Sequence, residues 1–232
     1  MKDKSGIHKR TPENNEVKKI AVVLSGCGFL DGAEITESVA TLIALSQNGA
    51  DYEIFAPDKT FRATNYLHPH QDGGTRNILE EAARIARGKI RSLSELKAEN
   101  FDGIVLPGGY GAATHLCTWG SEGARCSVDP HIEHLLKDFY TQSKPICAIC
   151  IAPVLVARVL GDKGISLTIG HDAETAAEIA KTGAQHVTCA VDDYVTDREH
   201  KIISTPAYMY PALPHQVFAG ISAAIREFVE MA

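Results

Sequence analysis

The chain has 232 residues, 44% of them hydrophobic and 22% charged, a balance typical of a folded globular protein. Its formal net charge of −6 lacks the positive excess that supplies non-specific nucleic-acid affinity, so we expect no nucleic-acid partner. The sequence shows neither a signal-peptide pattern nor an apolar run near the roughly 18 residues of a membrane span. We therefore predict a cytoplasmic protein with no membrane partner.

The N-terminal segment differs in composition from the rest of the chain. Residues 1–17 are polar and rich in Lys and Arg, and we predict a flexible tail there and a single domain over residues 18–232. Six cysteines are too few for a disulfide framework. In a reducing compartment such residues are buried, catalytic or redox-active.

Strands and helices are predicted to alternate along the first half. The β-branched run 19–25 predicts a strand that ends in glycines, and the helical spacing of Ile35, Val39, Leu42 and Ile43 predicts a helix after it. A strand at 52–56 and a helix at 78–85 follow. Residues 61–75 show no periodicity and are predicted to form a loop.

The alternation continues in the second half. Strands are predicted at 101–106, 144–149, 165–169, 187–191, 193–196 and 201–205, and helices at 130–139, 152–160, 174–181 and 217–228. Alternating strands and helices imply βαβ units with right-handed crossovers. We therefore predict an α/β fold, a three-layer αβα sandwich with a mostly parallel sheet.

Chemistry in such folds is expected where strands end. Cys150 lies where a strand passes into a helix that has Pro153 near its start, so its thiol is expected to face free N–H groups that lower the thiol pKa. Gly108 and Gly109 end a neighbouring strand, where their N–H groups could form an oxyanion hole. Glu34, which follows the first strand's turn, could lie across the strand ends from Cys150.

Several ordered motifs carry a family resemblance from residue 18 to the C-terminus. They are Leu24-Ser-Gly-Cys-Gly28, Asp31-Gly32 with Glu34-Ile35, Phe55-Ala-Pro-Asp58, Pro107-Gly-Gly109, Lys144-Pro145, Cys150-Ile-Ala-Pro153 and Thr205-Pro-Ala-Tyr-Met209. Together they resemble the ElbB-like branch of the PfpI superfamily, which has a flavodoxin-like, class I glutamine-amidotransferase-like fold. The resemblance implies a homodimer.

The resemblance also implies roles for particular residues. Cys150 matches the nucleophile, Glu34 the carboxylate that hydrogen-bonds the thiol, and Gly109 with Ile151 the two oxyanion-hole amides. Ile151 stands where the protease-like relatives have His, and residues 205–207 lack the His-x-Glu pair of glutaminases. The chain is therefore expected to be neither a protease nor a glutaminase, while His171 falls near the position of a deglycase histidine.

The activity implied is that of a glyoxalase or deglycase that converts glyoxal to glycolate without a cofactor or metal. Cys150 would attack an aldehyde carbon, and Glu34 or His171 would move the proton. One alternative is a non-enzymatic thiol sensor or binding protein, loosely associated with isoprenoid biosynthesis, in which Cys150 is oxidised and Cys27 acts as the resolving thiol.

Two further patterns in the sequence favour other chemistry only weakly. Cys147 and Cys150 form C-x-x-C, but a Cys147 inside the strand would not reach Cys150 in disulfide geometry. The pairs His131 with His134 and His68 with His70 lack a third metal ligand, so no metal site is predicted.

Overall fold

The computed structural model describes residues 17–232, so the predicted tail lies, but for residue 17, outside the described residues. A seven-stranded sheet forms the centre, in the order β10-β11-β7-β6-β1-β2-β5. The strands are β1 (Lys19–Val23), β2 (Asp51–Ala56), β5 (Arg91–Ser92), β6 (Gly103–Leu106), β7 (Ile146–Ile149), β10 (Val195–Asp197) and β11 (Ile202–Thr205). Every pairing in it is parallel except that of β10 with β11.

Helices cover both faces of this sheet, which confirms the three-layer prediction. They are α1 (Ile35–Gln47), α2 (Ile78–Ile85), α3 (Tyr110–Thr114), α4 (Trp119–Glu122), α5 (Pro130–Thr141), α6 (Pro153–Leu160), α7 (Ala173–Ala180) and α8 (Pro214–Met231). Because side chains alternate along a strand, Ile20 and Val22 join one core with α1, α2 and α8, whereas Ala21 and Val23 join the other with α5 and α6.

Three predicted segments differ from the structure. Residues 61–75, predicted to be a loop, instead form most of an antiparallel hairpin, β3 (Thr60–Thr64) and β4 (Asp72–Asn77). Only Phe61 and Ala63 of β3 turn inward, and β4 has no apolar residue, so the pattern is too short to predict the pair. The strand predicted at 165–169 is only β8 (Ser166–Leu167), which pairs with β9 (Gln185–His186) outside the central sheet. The strand predicted at 187–191 is wrong, because those residues form no strand. The amides of Thr168 and Gly170 donate to the side-chain hydroxyls of Ser204 and Thr168. The pairing of β8 therefore ends at Leu167.

Helix α1 is present as predicted, but it packs through a different face. Ile35, Val39 and Ile43 are 48%, 41% and 43% exposed, while Glu37 and Thr41 are fully buried. Small residues on the inner face let α1 lie close to α8 and the sheet. The apolar spacing therefore identified the helix but marks its outer face.

Close packing at Gly103 gives a test of this core. A Cβ placed there would lie 2.6 Å from Cζ of Phe228 and 3.1 Å from the Pro145 carbonyl oxygen. We expect Gly103→Ala to lower the free energy of unfolding by about 1–3 kcal/mol, measured by urea denaturation. Gly120→Ala, whose nearest contact is a Thr114 methyl group at 3.1 Å, is the control. Equal stability of the two variants would contradict the packing described.

Candidate active site

Cys150 occupies a sharp turn between β7 and α6. Its φ of 62° lies in the left-handed region, which a residue with a side chain adopts only under constraint. Its amide donates to the Thr205 carbonyl oxygen at 2.9 Å, so the neighbouring β11 holds the turn in place. Pro153 begins α6 at the first helical position, as predicted. The side chain is thereby held at the carboxyl edge of the sheet.

Gly108 packs directly against this turn from the end of β6. A Cβ at Gly108 would lie 2.4 Å from Cβ of Cys150 and 2.6 Å from Oε2 of Glu37. No other residue type therefore fits without displacing the thiol or the carboxyl group. Gly108 belongs to the site because it lets these two groups meet.

The carboxyl group beside the thiol belongs to Glu37. The Cys150 thiol is hydrogen-bonded to Glu37. The amides of Gly108 and Tyr208 also donate to Glu37, at 3.0 Å to Oε2 and 3.2 Å to Oε1. These contacts from separate elements fix a fully buried carboxyl group below Cys150.

The structure thus corrects the predicted contact of Glu34 with the thiol. Glu34 is the N-cap of α1, and its Oε2 accepts a 2.6 Å hydrogen bond from the Glu37 amide. A residue at the N-cap turns its carboxylate back onto the helix end, whereas Glu37, three residues later, faces the sheet. Glu34 nevertheless lines the same cavity as Cys150.

Burial dominates the electrostatics of the pair. It raises the pKa of Glu37 to about 8, with a further rise from the nearby Glu34 carboxylate. It also raises the pKa of Cys150, and Glu37 adds to that rise, while the Gly109 and Ile151 amides oppose it. The predicted lowering of the thiol pKa is therefore wrong, because burial outweighs the helix start. At neutral pH the Glu37 carboxyl group is mostly protonated.

Gly109 and Ile151 present backbone N–H groups to the Cys150 sulfur. That they form an oxyanion hole stays a prediction. Gly109 has φ 94°, and a Cβ there would lie 2.3 Å from the Gly32 carbonyl oxygen. Among residues 17–232, neither amide donates to a backbone carbonyl in any turn or cap. Two free donors beside a thiol are suited to bind an oxygen that acquires negative charge.

A cavity of about 1380 Å³ opens above the thiol. Its walls come from several loops and combine aromatic and charged side chains. The lining includes Phe29, Glu34, Tyr110, Trp119, Glu122, Arg125, Asp172, Glu178, Lys181, Tyr208 and Met209. Such a space admits a small molecule and is larger than a two-carbon aldehyde requires.

Two other predicted residues do not line the cavity of Cys150. His171 is exposed, stacks on Tyr210 with ring centroids 4.4 Å apart and is not among the residues that line the cavity. The turn at Gly170 and the Asp172 cap of α7 keep it on the surface. Cys27 lines a separate cavity of about 410 Å³ with Asp31 and Glu81, so the structure does not place it as a resolving thiol.

The remaining cysteine and histidine patterns can now be located. Cys147 is fully buried within β7, and Cys147 and Cys150 are both free thiols. Within residues 17–232, no group of three or more His, Cys, Asp or Glu side chains is arranged to hold a metal ion. No helix in the same range is long and apolar enough to cross a membrane.

Fold and site together define an α/β protein with a buried cysteine on a left-handed turn between a strand and a helix. Residues 28–204 match the model of the DJ-1/PfpI family, and the chain belongs to that family. This confirms the resemblance to the wider class I glutamine-amidotransferase-like superfamily.

Relatives and solved structures agree with this assignment. The chain is 41% identical to the human "Glutamine amidotransferase-like class 1 domain-containing protein 3, mitochondrial", over 92% of this chain and 83% of the relative. It is 39% identical to the rat "ES1 protein homolog, mitochondrial", over 98% and 88%. A crystal structure from Ehrlichia chaffeensis, described as an isoprenoid biosynthesis protein with an amidotransferase-like domain, superposes with a TM-score of 0.87 at 34% identity, over 93% and 99%.

The buried Glu37 predicts a pH-dependent stability. A carboxyl group with a pKa of 4.5 unfolded and about 8 folded contributes stability that is complete below pH 4.5 and is lost as pH rises to 8. Between these values we expect Glu37 to account for a fall of roughly 4 kcal/mol in the free energy of unfolding.

Urea denaturation of the wild type and Glu37→Gln at pH 5 and pH 8.5 measures this contribution. We expect the wild type to lose more stability than the variant across the interval. Parallel pH dependences would contradict the raised pKa of Glu37. In Glu34→Gln, which removes the carboxylate that adds to the rise of the Glu37 pKa, we expect the pH dependence of the wild type to persist in weaker form.

Proposed function

We propose that this protein is a cofactor-independent thiol enzyme that converts small dicarbonyl compounds to hydroxy acids, with glyoxal to glycolate as the model reaction. The observation that carries the proposal is the convergence of the Cys150 thiol, the Glu37 carboxyl group and the free amides of Gly109 and Ile151 beneath one cavity. A nucleophile, a proton acceptor and an oxyanion site are the groups that addition to an aldehyde requires.

The first step is formation of a hemithioacetal. The Cys150 sulfur bonds to an aldehyde carbon, the carbonyl electron pair moves to oxygen, and the thiol proton passes to Glu37. The Gly109 and Ile151 amides bind the oxygen as it becomes negative. The remaining aldehyde of the dicarbonyl stays unreacted in the cavity.

The second step converts the hemithioacetal to a thioester without an oxidant. Glu34 removes the proton on the sulfur-bearing carbon and returns it to the neighbouring carbon. The proton held by Glu37 passes to the neighbouring carbonyl oxygen, which becomes a hydroxyl group, and the hemithioacetal oxyanion becomes the thioester carbonyl. Water then hydrolyses the thioester, which releases glycolate and restores the thiol. We assign the transfer of this carbon-bound proton to Glu34, because its carboxyl group lines the cavity. The exposed His171 does not line the cavity.

Conversion of glyoxal under metal-free and glutathione-free conditions tests the proposal. We expect Cys150→Ser to abolish glycolate formation and Glu37→Gln to reduce it about 10²-fold or more, since general acid–base groups contribute roughly 10²–10⁴. Cys189→Ser, which alters a cysteine outside the cavity, should retain activity. A folded wild type that makes no glycolate while peroxide oxidises Cys150 would favour the sensor instead.

The reaction should also depend on pH. Below a pKa of about 8, Glu37 already carries a proton and cannot accept that of the thiol. We expect the glyoxal turnover of the wild type to rise with pH and to level off above about pH 8. A profile without an inflection near that value would show that Glu37 is not the proton acceptor.

Oligomeric state and location are part of the proposal. We propose a homodimer, and the exposed aliphatic stripe Ile35, Val39 and Ile43 on α1 is a face that the same helix of a second copy would match. Sedimentation of Val39→Glu as a monomer beside a dimeric wild type would support this. The cytoplasmic location stays a prediction, and the names of the human and rat relatives point to mitochondria for those proteins.

A further inference from the structure

Two aromatic rings at the mouth of the cavity are exposed although their backbone is held in place. Phe29 and Tyr110 line the cavity above Cys150, and they are 48% and 54% exposed. The Tyr110 amide donates to the Phe29 carbonyl oxygen at 2.8 Å, which ties the two residues together. The proposed glyoxal reaction uses neither ring. Half-exposed aromatic rings beside a cavity present apolar surface to a molecule that enters it.

The backbone places Tyr110 close to the thiol. Tyr110 comes two residues after Gly108, which packs directly against Cys150. Because consecutive Cα atoms are about 3.8 Å apart, the Cα of Tyr110 lies at most about 7.6 Å from that of Gly108. A substrate bonded to the Cys150 sulfur can therefore reach the ring through a substituent on its second carbon. Glyoxal carries only hydrogen there and leaves both rings without a contact.

The hairpin of β3 and β4 fixes the turn that carries Phe29. The Leu30 amide donates to the Tyr66 hydroxyl at 2.9 Å, and that hydroxyl donates to Oδ1 of Asp31 at 3.1 Å. Oδ2 of Asp31 accepts a 2.6 Å hydrogen bond from the Thr64 amide. The rings of Phe29 and Tyr66 meet edge to face, with their centroids 5.8 Å apart. Because the turn is already ordered, a ligand that contacts Phe29 does not bear the entropic cost of ordering it.

The charge of the cavity wall favours a neutral substituent. Five acidic side chains line the cavity against two basic ones, Arg125 and Lys181. The acidic residues are Glu34, Glu122, Asp172, Glu174 and Glu178. This excess of negative charge repels a carboxylate or phosphate group on a ligand. An uncharged aromatic ring meets no such repulsion and gains free energy as its apolar surface leaves water.

We propose that Phe29 and Tyr110 form an aromatic subsite, and that the preferred substrates are 2-oxoaldehydes that carry an uncharged aryl group. This inference rests on the proposed function and names its substrate class. The Cys150 sulfur bonds to the aldehyde carbon, and the ring stays on the neighbouring ketone carbon, whose oxygen becomes the hydroxyl group. Phenylglyoxal and one water molecule thereby give mandelate, the thiol is restored, and no oxidant or reductant takes part.

Turnover of phenylglyoxal and of methylglyoxal gives the first test. We expect the ratio of their kcat/KM values to fall about tenfold in Phe29→Ala and in Tyr110→Ala, because each variant loses one ring contact to the substrate. The ratio cancels the different intrinsic reactivities of the two aldehydes. Tyr66→Phe, which frees the turn of Phe29, should lower the ratio by a smaller factor. Tyr52→Ala, which alters an exposed tyrosine outside the cavity, should keep the wild-type ratio.

Binding of an unreactive analogue tests the subsite without turnover. Trp119 is the single tryptophan of the sequence and lines the cavity, so its fluorescence reports what enters. We expect 2-hydroxyacetophenone, which has no aldehyde, to change this fluorescence saturably in the wild type. Hydroxyacetone, which lacks the ring, and the 4-carboxy derivative of 2-hydroxyacetophenone should each bind about tenfold more weakly. Phe29→Ala and Tyr110→Ala should weaken binding of 2-hydroxyacetophenone by a similar factor.

Three results would overturn the inference. They are a wild type that binds 2-hydroxyacetophenone no more tightly than hydroxyacetone, tighter binding of the 4-carboxy derivative than of the neutral ring, and a kcat/KM ratio that neither Phe29→Ala nor Tyr110→Ala changes. The first two need only the wild type. A protein that binds 2-hydroxyacetophenone as expected but turns over no dicarbonyl would keep the aromatic subsite and refute the proposed reaction, so the two failures are distinguishable.

Discussion

The left-handed backbone of Cys150 is the constraint on which the candidate site depends. A φ of 62° aims the side chain out of the sheet edge, and the hydrogen bond to Thr205 together with Pro153 at the start of α6 holds that conformation. Gly108 provides the space into which the thiol turns. The strain is confined to this turn, and contacts with the central sheet and its flanking helices stabilise the strained conformation.

The protonation states of Cys150 and Glu37 follow from this constraint. A thiol held at the junction of three strands is cut off from water, so burial disfavours both its anion and that of the Glu37 carboxylate. Both groups are therefore protonated at rest near neutral pH. In the proposed mechanism, the amides of Gly109 and Ile151 provide the stabilisation of negative charge that solvent would otherwise give.

The sequence predicted the sheet, most helices and the turn at Cys150, because these depend on local patterns such as a β-branched run before a turn. The oxyanion-hole role of the Gly109 and Ile151 amides stays a prediction. The prediction from the sequence assigned the carboxyl group beside the thiol to Glu34, whereas the structure has Glu37 there. Ile35, Val39 and Ile43 dominate the apolar spacing of α1 yet face outward, and the inner face carries Glu37 and Thr41, which a periodicity of hydrophobic residues does not reveal. A charged residue one turn after the N-cap, on a face of small side chains, was the available signal. The position of His171 depended on where β8 ended, and short strands leave little pattern to fix such an end.

The central claim is that Glu37, and not Glu34, carries the proton beside Cys150. Infrared spectroscopy of the carboxyl carbonyl stretch tests it directly, by titration of the wild type, Glu37→Gln and Glu34→Gln. We predict a protonated-carboxyl band in the wild type that persists at pH 7, titrates near pH 8, and is absent from Glu37→Gln but present in Glu34→Gln. Absence of the band from the wild type at pH 7, or its loss in Glu34→Gln alone, would contradict the account.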